Sequence, residues 1–314
     1  MDASLAKRFK RWSPRGRRLA YARQRAQVER LEDRVLLSAE PMLQQTRPDA
    51  AKDVSADNVA LSSVQRQMVE VDLAQFEQAA TVVDLGKGAS QNSRLSGAGD
   101  LLTLAGEVSN LIVDLSATDN KVTLATEPDG RLRVTADGLY DLVFAKPTGL
   151  FAIRGQGGAD QVVVKTADLG AAMLVIESET IEVSEGAVLQ AAAGVHLIAE
   201  ASVSGSPTTS TTTAVATSIN VNGTVKTAGD LLLAASAAID YSAKPAATLA
   251  ELSMLADARA SAVLGAKSSV TAAGVFVVAD TDVRIEVERT GVERSKVTLS
   301  AVQKAEAGAR GNAA

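Results

Sequence analysis

The chain has 314 residues, 46% of them hydrophobic and 22% charged, a balance that excludes bulk disorder. It contains no cysteine and a single histidine, His196, which excludes disulfides, thiolate nucleophiles, cysteine-held metals and any His₂ or His₃ metal centre built from this chain alone. Aromatic residues make up 3%, too few for an aromatic cofactor pocket or a base-stacking platform, so the core must be Val, Leu, Ile and Ala.

The formal net charge of −5 is unevenly spread. Residues 1–37 hold eleven Lys or Arg against four acids (Asp2, Glu29, Glu32 and Asp33), a local charge of +7 that leaves −12 for the remainder. This arm has no continuous apolar run of the kind a secretory signal needs, and no stretch of about 18 uncharged apolar residues occurs anywhere in the chain. Arg17-Arg18 is followed by Leu-Ala-Tyr-Ala-Arg, unlike a twin-arginine signal. Residues 17–38 read as a short amphipathic helix with Leu31, Val35 and Leu36 on one side. Within it, Leu31-Glu32-Asp33-Arg34-Val35-Leu36-Leu37-Ser38-Ala39, close to the N-terminus and led by an Arg-rich run, resembles the LEPR-XLL segment that opens many very large bacterial surface proteins. Asp33 stands where that family has proline. The resemblance implies a targeting segment over residues 1–39, recognised by export machinery. The plain alternative is a basic helix with no such role.

Residues 40–92, with Pro41, Pro48 and a closing Gly86-Lys-Gly88 stretch, read as a linker. Val64, Met68, Val71, Leu73 and Phe76 allow one helix within it, which could cap the domain that follows. From Leu101 the rhythm changes to short β-rich bursts about ten residues apart, among them Leu101–Leu104, Lys121–Leu124, Leu150–Ile153 and Gln161–Val164. The intervals are too short for crossover helices, which leaves either an antiparallel sandwich or the coils of a solenoid.

Internal repeats decide between the two. Gly186–Ala199 recurs as Gly223–Ala234 and as Ser269–Ala279, each copy ending with a glycine five residues before an alanine: 194 and 199, 229 and 234, 274 and 279. This phase makes Val188, Val225 and Val270 equivalent inward positions, and Gly194, Gly229 and Gly274 equivalent turns. Leu252, Met254, Ala256, Ala258, Ala260, Ala262 and Leu264 alternate with polar or mixed residues, the period of a strand. A helix over 245–264 is the alternative that alanine's propensity supports. The expected fold is thus all-β, a parallel β-helix over 93–288, with a mostly disordered or short-helical N-terminal region and a polar tail over 289–314. The repeats resemble those of filamentous-haemagglutinin-type and other large bacterial adhesins. That resemblance implies a secreted or cell-surface adhesion protein, with this chain as the opening part of a longer product.

Few residues could carry chemistry. Gly155-Gln-Gly157-Gly158-Ala159-Asp160 resembles one imperfect copy of a calcium-binding nonapeptide, which makes Asp160 a calcium candidate against the simpler reading of a glycine turn. His196 lies in a repeat strand with no visible partner for base catalysis. Acids such as Glu177 with Glu179, Glu182 with Glu185 and Asp280 with Asp282 are candidates for the carboxylates of a glycosidase or lyase, since acids two residues apart on a strand share a face, but no sugar-stacking aromatics accompany them. The expectation is a non-catalytic protein without catalytic residues or cofactor, facing a surface or matrix component such as a glycan and not nucleic acid. A carbohydrate-active enzyme on a β-helix is the alternative.

Overall fold

A computed structural model describes residues 79–87, 93–243, 251–287 and 296–309. The segments 1–39 and 40–78, with the motif Leu31–Leu37 and the expected linker helix, lie outside the described residues. The chain divides into two compact units, Met1–Asp53 and Val54–Ala314, and every described residue belongs to the second. Among them there is no helix; all regular structure is strand.

In chain order the strands are β1 (Thr81–Asp84), β2 (Leu95–Ala98), β3 (Leu101–Leu104), β4 (Asn110–Asp114), β5 (Lys121–Thr126), β6 (Leu132–Ala136) and β7 (Asp141–Phe144). They continue with β8 (Leu150–Arg154), β9 (Gln161–Val164), β10 (Ala167–Asp168), β11 (Met173–Glu177), β12 (Thr180–Val183) and β13 (Val188–Gln190). Longer strands follow: β14 (Gly194–Gly205), β15 (Thr211–Val221), β16 (Thr224–Lys226), β17 (Leu231–Ala243), β18 (Glu251–Leu264), β19 (Ser269–Thr271), β20 (Val275–Val287) and β21 (Lys296–Ala309). Each early burst named from the sequence is one of these strands.

They form three sheets: A, in the order β1-β4-β8-β11-β14-β17-β20; B, in the order β2-β3-β7-β6-β5-β9-β12-β15-β18-β21; and C, β10-β13-β16-β19. The β2–β3 hairpin and the β5–β6–β7 meander are antiparallel. The pairings of sheet A and of sheet C, and those of sheet B from β5 to β9 onward, are parallel. Both topologies that the burst spacing left open are therefore present, the antiparallel one confined to the first half. From β8 on, the chain visits A, B and C in fixed rotation, an arrangement compatible with a β-solenoid. Register partners in sheet A run from Leu150 to Met173, from Met173 to Gly194, from Val195 to Leu231 and from Leu231 to Val275, so successive circuits take 23, 21, 36 and 44 residues.

The last circuits are longer because their A and B strands lengthen while those of sheet C remain three residues long. Their inner faces are lined by small residues: Ala235 and Ala237 on β17, and Ala256, Ala258, Ala260 and Ala262 on β18, all 2% exposed or less. The period-two reading of 252–264 therefore holds, and tertiary burial overrides alanine's helix propensity. Strand pairing also continues past residue 288 into the expected tail, where β21 pairs along the whole of β18. Its Leu299, Ala301, Ala305 and Ala307 alternate with Ser300, Val302, Lys304 and Glu306, a weak pattern because its apolar members are mostly alanine.

The repeat alignment is corrected by one residue. Leu189, not Val188, pairs with Val225, which in turn pairs with Val270. Leu189 and Val225 are fully buried, while Val188 is half-buried on the opposite face. Likewise Ala199 pairs with Ala235 and Ala235 with Ala279, so Asp230, not Gly229, lies level with Gly194 and Gly274. Register follows the alternation of inward side chains, Leu231, Leu233 and Ala235, and the turn glycine slides by one position.

Candidate functional site at the Asp160 corner

Between sheets A and B the chain turns a corner at residues 115–120, 155–160 and 178–179. Lys121 pairs with Gln161 and Gln161 with Thr180, so Asn120, Asp160 and Glu179, each one residue earlier, stack in successive layers. They form a ladder of acceptors. Ser116 N–H donates to Asn120 Oδ1 at 3.1 Å, Asn120 N–H to Asp160 Oδ1 at 2.9 Å, and Asp160 N–H to Glu179 Oε2 at 2.8 Å. Asp119 Oδ1 accepts from Ala159 N–H at 2.8 Å, and the Ser178 hydroxyl donates to the Asp160 carbonyl at 2.9 Å. The side chains of Asn120, Asp160, Glu179 and Asp119 each accept from a corner N–H, and Ser178 donates to a corner carbonyl.

Two glycines make the corner possible. Gly158 has φ of +97°, and a Cβ there would lie 2.5 Å from the Thr118 carbonyl carbon, so the two turns touch backbone to backbone. A Cβ on Gly155 would lie 2.6 Å from Asp160 Oδ2. Among the described residues that oxygen has no hydrogen-bond partner, and Asp160 is 1% exposed. Burial first, and then the negative charge of Glu179, push the Asp160 carboxyl up to about 6, with Asp119 adding to the rise and the Asn120 N–H opposing it. Among the described residues, no three or more His, Asp or Glu side chains form a group that could hold a metal ion. The glycine turn expected at 155–158 is present, and Asp160 is an internal acceptor that retains its proton to unusually high pH.

The other candidates do not converge. Glu177 ends β11 in sheet A while Glu179 sits at the corner, so these two acids do not share one strand. Glu182 lies within β12, whereas Glu185 stands in the following turn and pairs with Lys267 at 2.5 Å. Asp280 and Asp282 do share the outer face of β20, next to Arg284, whose ion pair is with Glu286. His196 is half-buried on the outer face of sheet A, with Val175 and Leu232 as its register neighbours. Motif reading singled out Asp160, placed Glu179 with Glu177 instead of with Asp160, and missed Asn120. The shared pattern is an acceptor two residues before an inward aliphatic: Asn120 before Val122, Asp160 before Val162 and Glu179 before Ile181. Comparison of the chain with protein families, with curated proteins and with solved structures returns no match.

Proposed function

We propose that the described body is a parallel β-solenoid, and that the protein is a non-catalytic structural or adhesive component of a bacterial cell surface. In this reading the basic segment 1–39 directs export, and the body presents its outer sheet faces to a surface or matrix component such as a glycan. The A-to-B-to-C rotation carries the reading: it builds long, regular faces from stacked circuits. Outer charges are met in pairs, Asp114 with Arg154 at 2.8 Å, Glu185 with Lys267 and Asp257 with Arg259 at 2.8 Å, as on a solvated scaffold. The enzyme alternative fares worse, because the acid with the most displaced titration, Asp160, is sealed from any substrate. An open depression near Leu85, Asp100, Tyr140 and Asp141 offers a sugar only one aromatic ring. The acidic body disfavours nucleic acid.

Surface labelling of intact cells tests this reading. The full chain should label, and a chain lacking residues 1–39 should remain unlabelled while its body keeps a strand-rich circular dichroism spectrum. Equal labelling of the two would remove the targeting role. Turnover of any member of a glycan panel, abolished by Glu182→Gln or Asp282→Asn, would restore the enzyme.

A further inference from the structure

Sheets A and B end on long strands. β20 and β21, of 13 and 14 residues, are outermost in the two sheets, while the opposite edges are β1 and β2, of four residues each. At the long edges the core is left open. Register puts Leu299, Ala301 and Ala305 of β21 beside Met254, Ala256 and Ala260 of β18, which are 2% exposed or less. The three β21 side chains take the same inward direction, yet all are exposed, Leu299 at 48%. On β20, Val275 follows the buried Leu231 and is 45% exposed. Edge strands that stay single are usually short, or carry proline or an inward charge, each of which blocks a further strand. Neither β20 nor β21 contains proline, and their inward positions, in steps of two from Val275 to Val287 and from Val297 to Ala309, are all uncharged.

We infer that this open end is the interface of a two-fold dimer, in which β21 pairs antiparallel with β21 of a second copy about Ala305. Strand length selects the occupant. A head-to-tail stack would set the 14-residue edge of β21 against the four residues of β2, whereas a second copy turned tail to tail offers an edge of equal length. Charge selects the register. Arg259 and Lys304 are neighbours on the outer face of sheet B, two cations side by side, and the next outward row joins Ser261 to Glu306. Pairing about Ala305 sets Lys304 of each copy opposite Glu306 of the other, so the attractive pair forms twice. An axis one residue to either side would instead oppose Lys304 to Lys304 or Glu306 to Glu306. The same register sets Val302, 42% exposed, opposite Gly308, where a side chain would meet nothing within 4 Å. The area agrees as well. Residues 301–309 pair over about 31 Å, and two sheets about 10 Å apart, with their outer side chains, make the end roughly 20 Å deep. That is roughly 600 Å² per copy, or about 1,200 Å² in all, the lower limit of a stable interface, so the dimer dissociates on dilution.

Sedimentation of the 314-residue chain over a dilution series from about 100 µM to about 1 µM tests this. The series should run from dimer to monomer with no larger species. Lys304→Glu and Glu306→Lys each turn both attractive pairs into repulsive ones and should raise the dissociation constant about tenfold or more. The double variant restores opposite charges and should return it to within about threefold of the parent. Parent and variants should share one strand-rich circular dichroism spectrum. Because the chain has no cysteine, Ala305→Cys places a single thiol at the axis and should give a disulfide-linked dimer on mild oxidation. Ala307→Cys, on the same face but opposite Gln303 of the second copy, should not. A monomer at every concentration overturns the inference, as does an assembly that grows beyond two copies, or a dimer indifferent to both single reversals. Should a reversal disturb the strand signal, the two cysteine variants decide alone: linkage at 307 and not at 305, or at neither, overturns the inference.

Discussion

Asp160 is a carboxyl held where its charge is unwelcome, against Gly155 and below Glu179. Its folded titration near 6 lies above the ordinary value of 3.8. Between those two values the folded chain keeps a proton that the unfolded chain has released. Stability therefore falls as pH rises through that window, and the contribution is gone above it. Asp160→Asn keeps an acceptor for the Asn120 N–H and removes the charge. It should flatten the pH dependence between 4 and 6 and raise stability at pH 7.5 by on the order of 2 kcal/mol. Urea unfolding of both proteins at several pH values measures this; a variant less stable than the parent at pH 7.5 would contradict it. The aspartate and its glycine turn were readable in the sequence, because a G-x-G-G-x-D string demands a tight corner. The ladder was not, because Asn120 and Glu179 are brought beside it only by strand register across 40 and 19 residues.

For strands, inward alternation outranks motif phase. Aligning the copies on glycine placed Val188 with Val225, but pairing places Leu189 there instead. The difference is testable with charge. Leu189→Asp and Val225→Asp each bury a carboxylate between stacked circuits and should cost several kcal/mol, of order 3 or more, whereas Val188→Asp sets its charge on the half-exposed face and should cost roughly 1 kcal/mol or less. Thermal unfolding of the three variants decides the register, and equal losses at 188 and 225 would return it to the glycine phase. Strand identity was readable in the β-rich bursts and in the period-two, Ala-rich 252–264 segment, which appear as strands. The antiparallel β5–β6–β7 meander was not, because short turns look alike in sequence whether the next strand pairs with its neighbour or passes to another sheet. Strand β21 was missed for a third reason: mostly alanine on one side, with lysine, glutamate and glycine among the residues of the other, gives little contrast in hydropathy.

In the solenoid proposed above, contacts join each circuit to the one before and the one after, so its stability approximates a sum over layers. The layers are unequal, with narrow three-sided circuits of 21 and 23 residues giving way to wide ones of 36 and 44. That inequality has a mechanical meaning. Tension between Thr81, on the first strand of sheet A, and Ala309, on the last of sheet B, acts on opposite ends of the stack. It loads the parallel ladders one row at a time and peels them from an edge. Each released circuit yields slack of 21 to 44 residues, roughly 70 to 150 Å at about 3.4 Å per residue. Single-molecule stretching should therefore show a staircase of unequal length gains and no single rupture of the whole body. A protein built this way and fixed at both ends is a line with spare length wound into it: under a sudden pull it lengthens by steps, dissipates the load, and rewinds when the pull is gone.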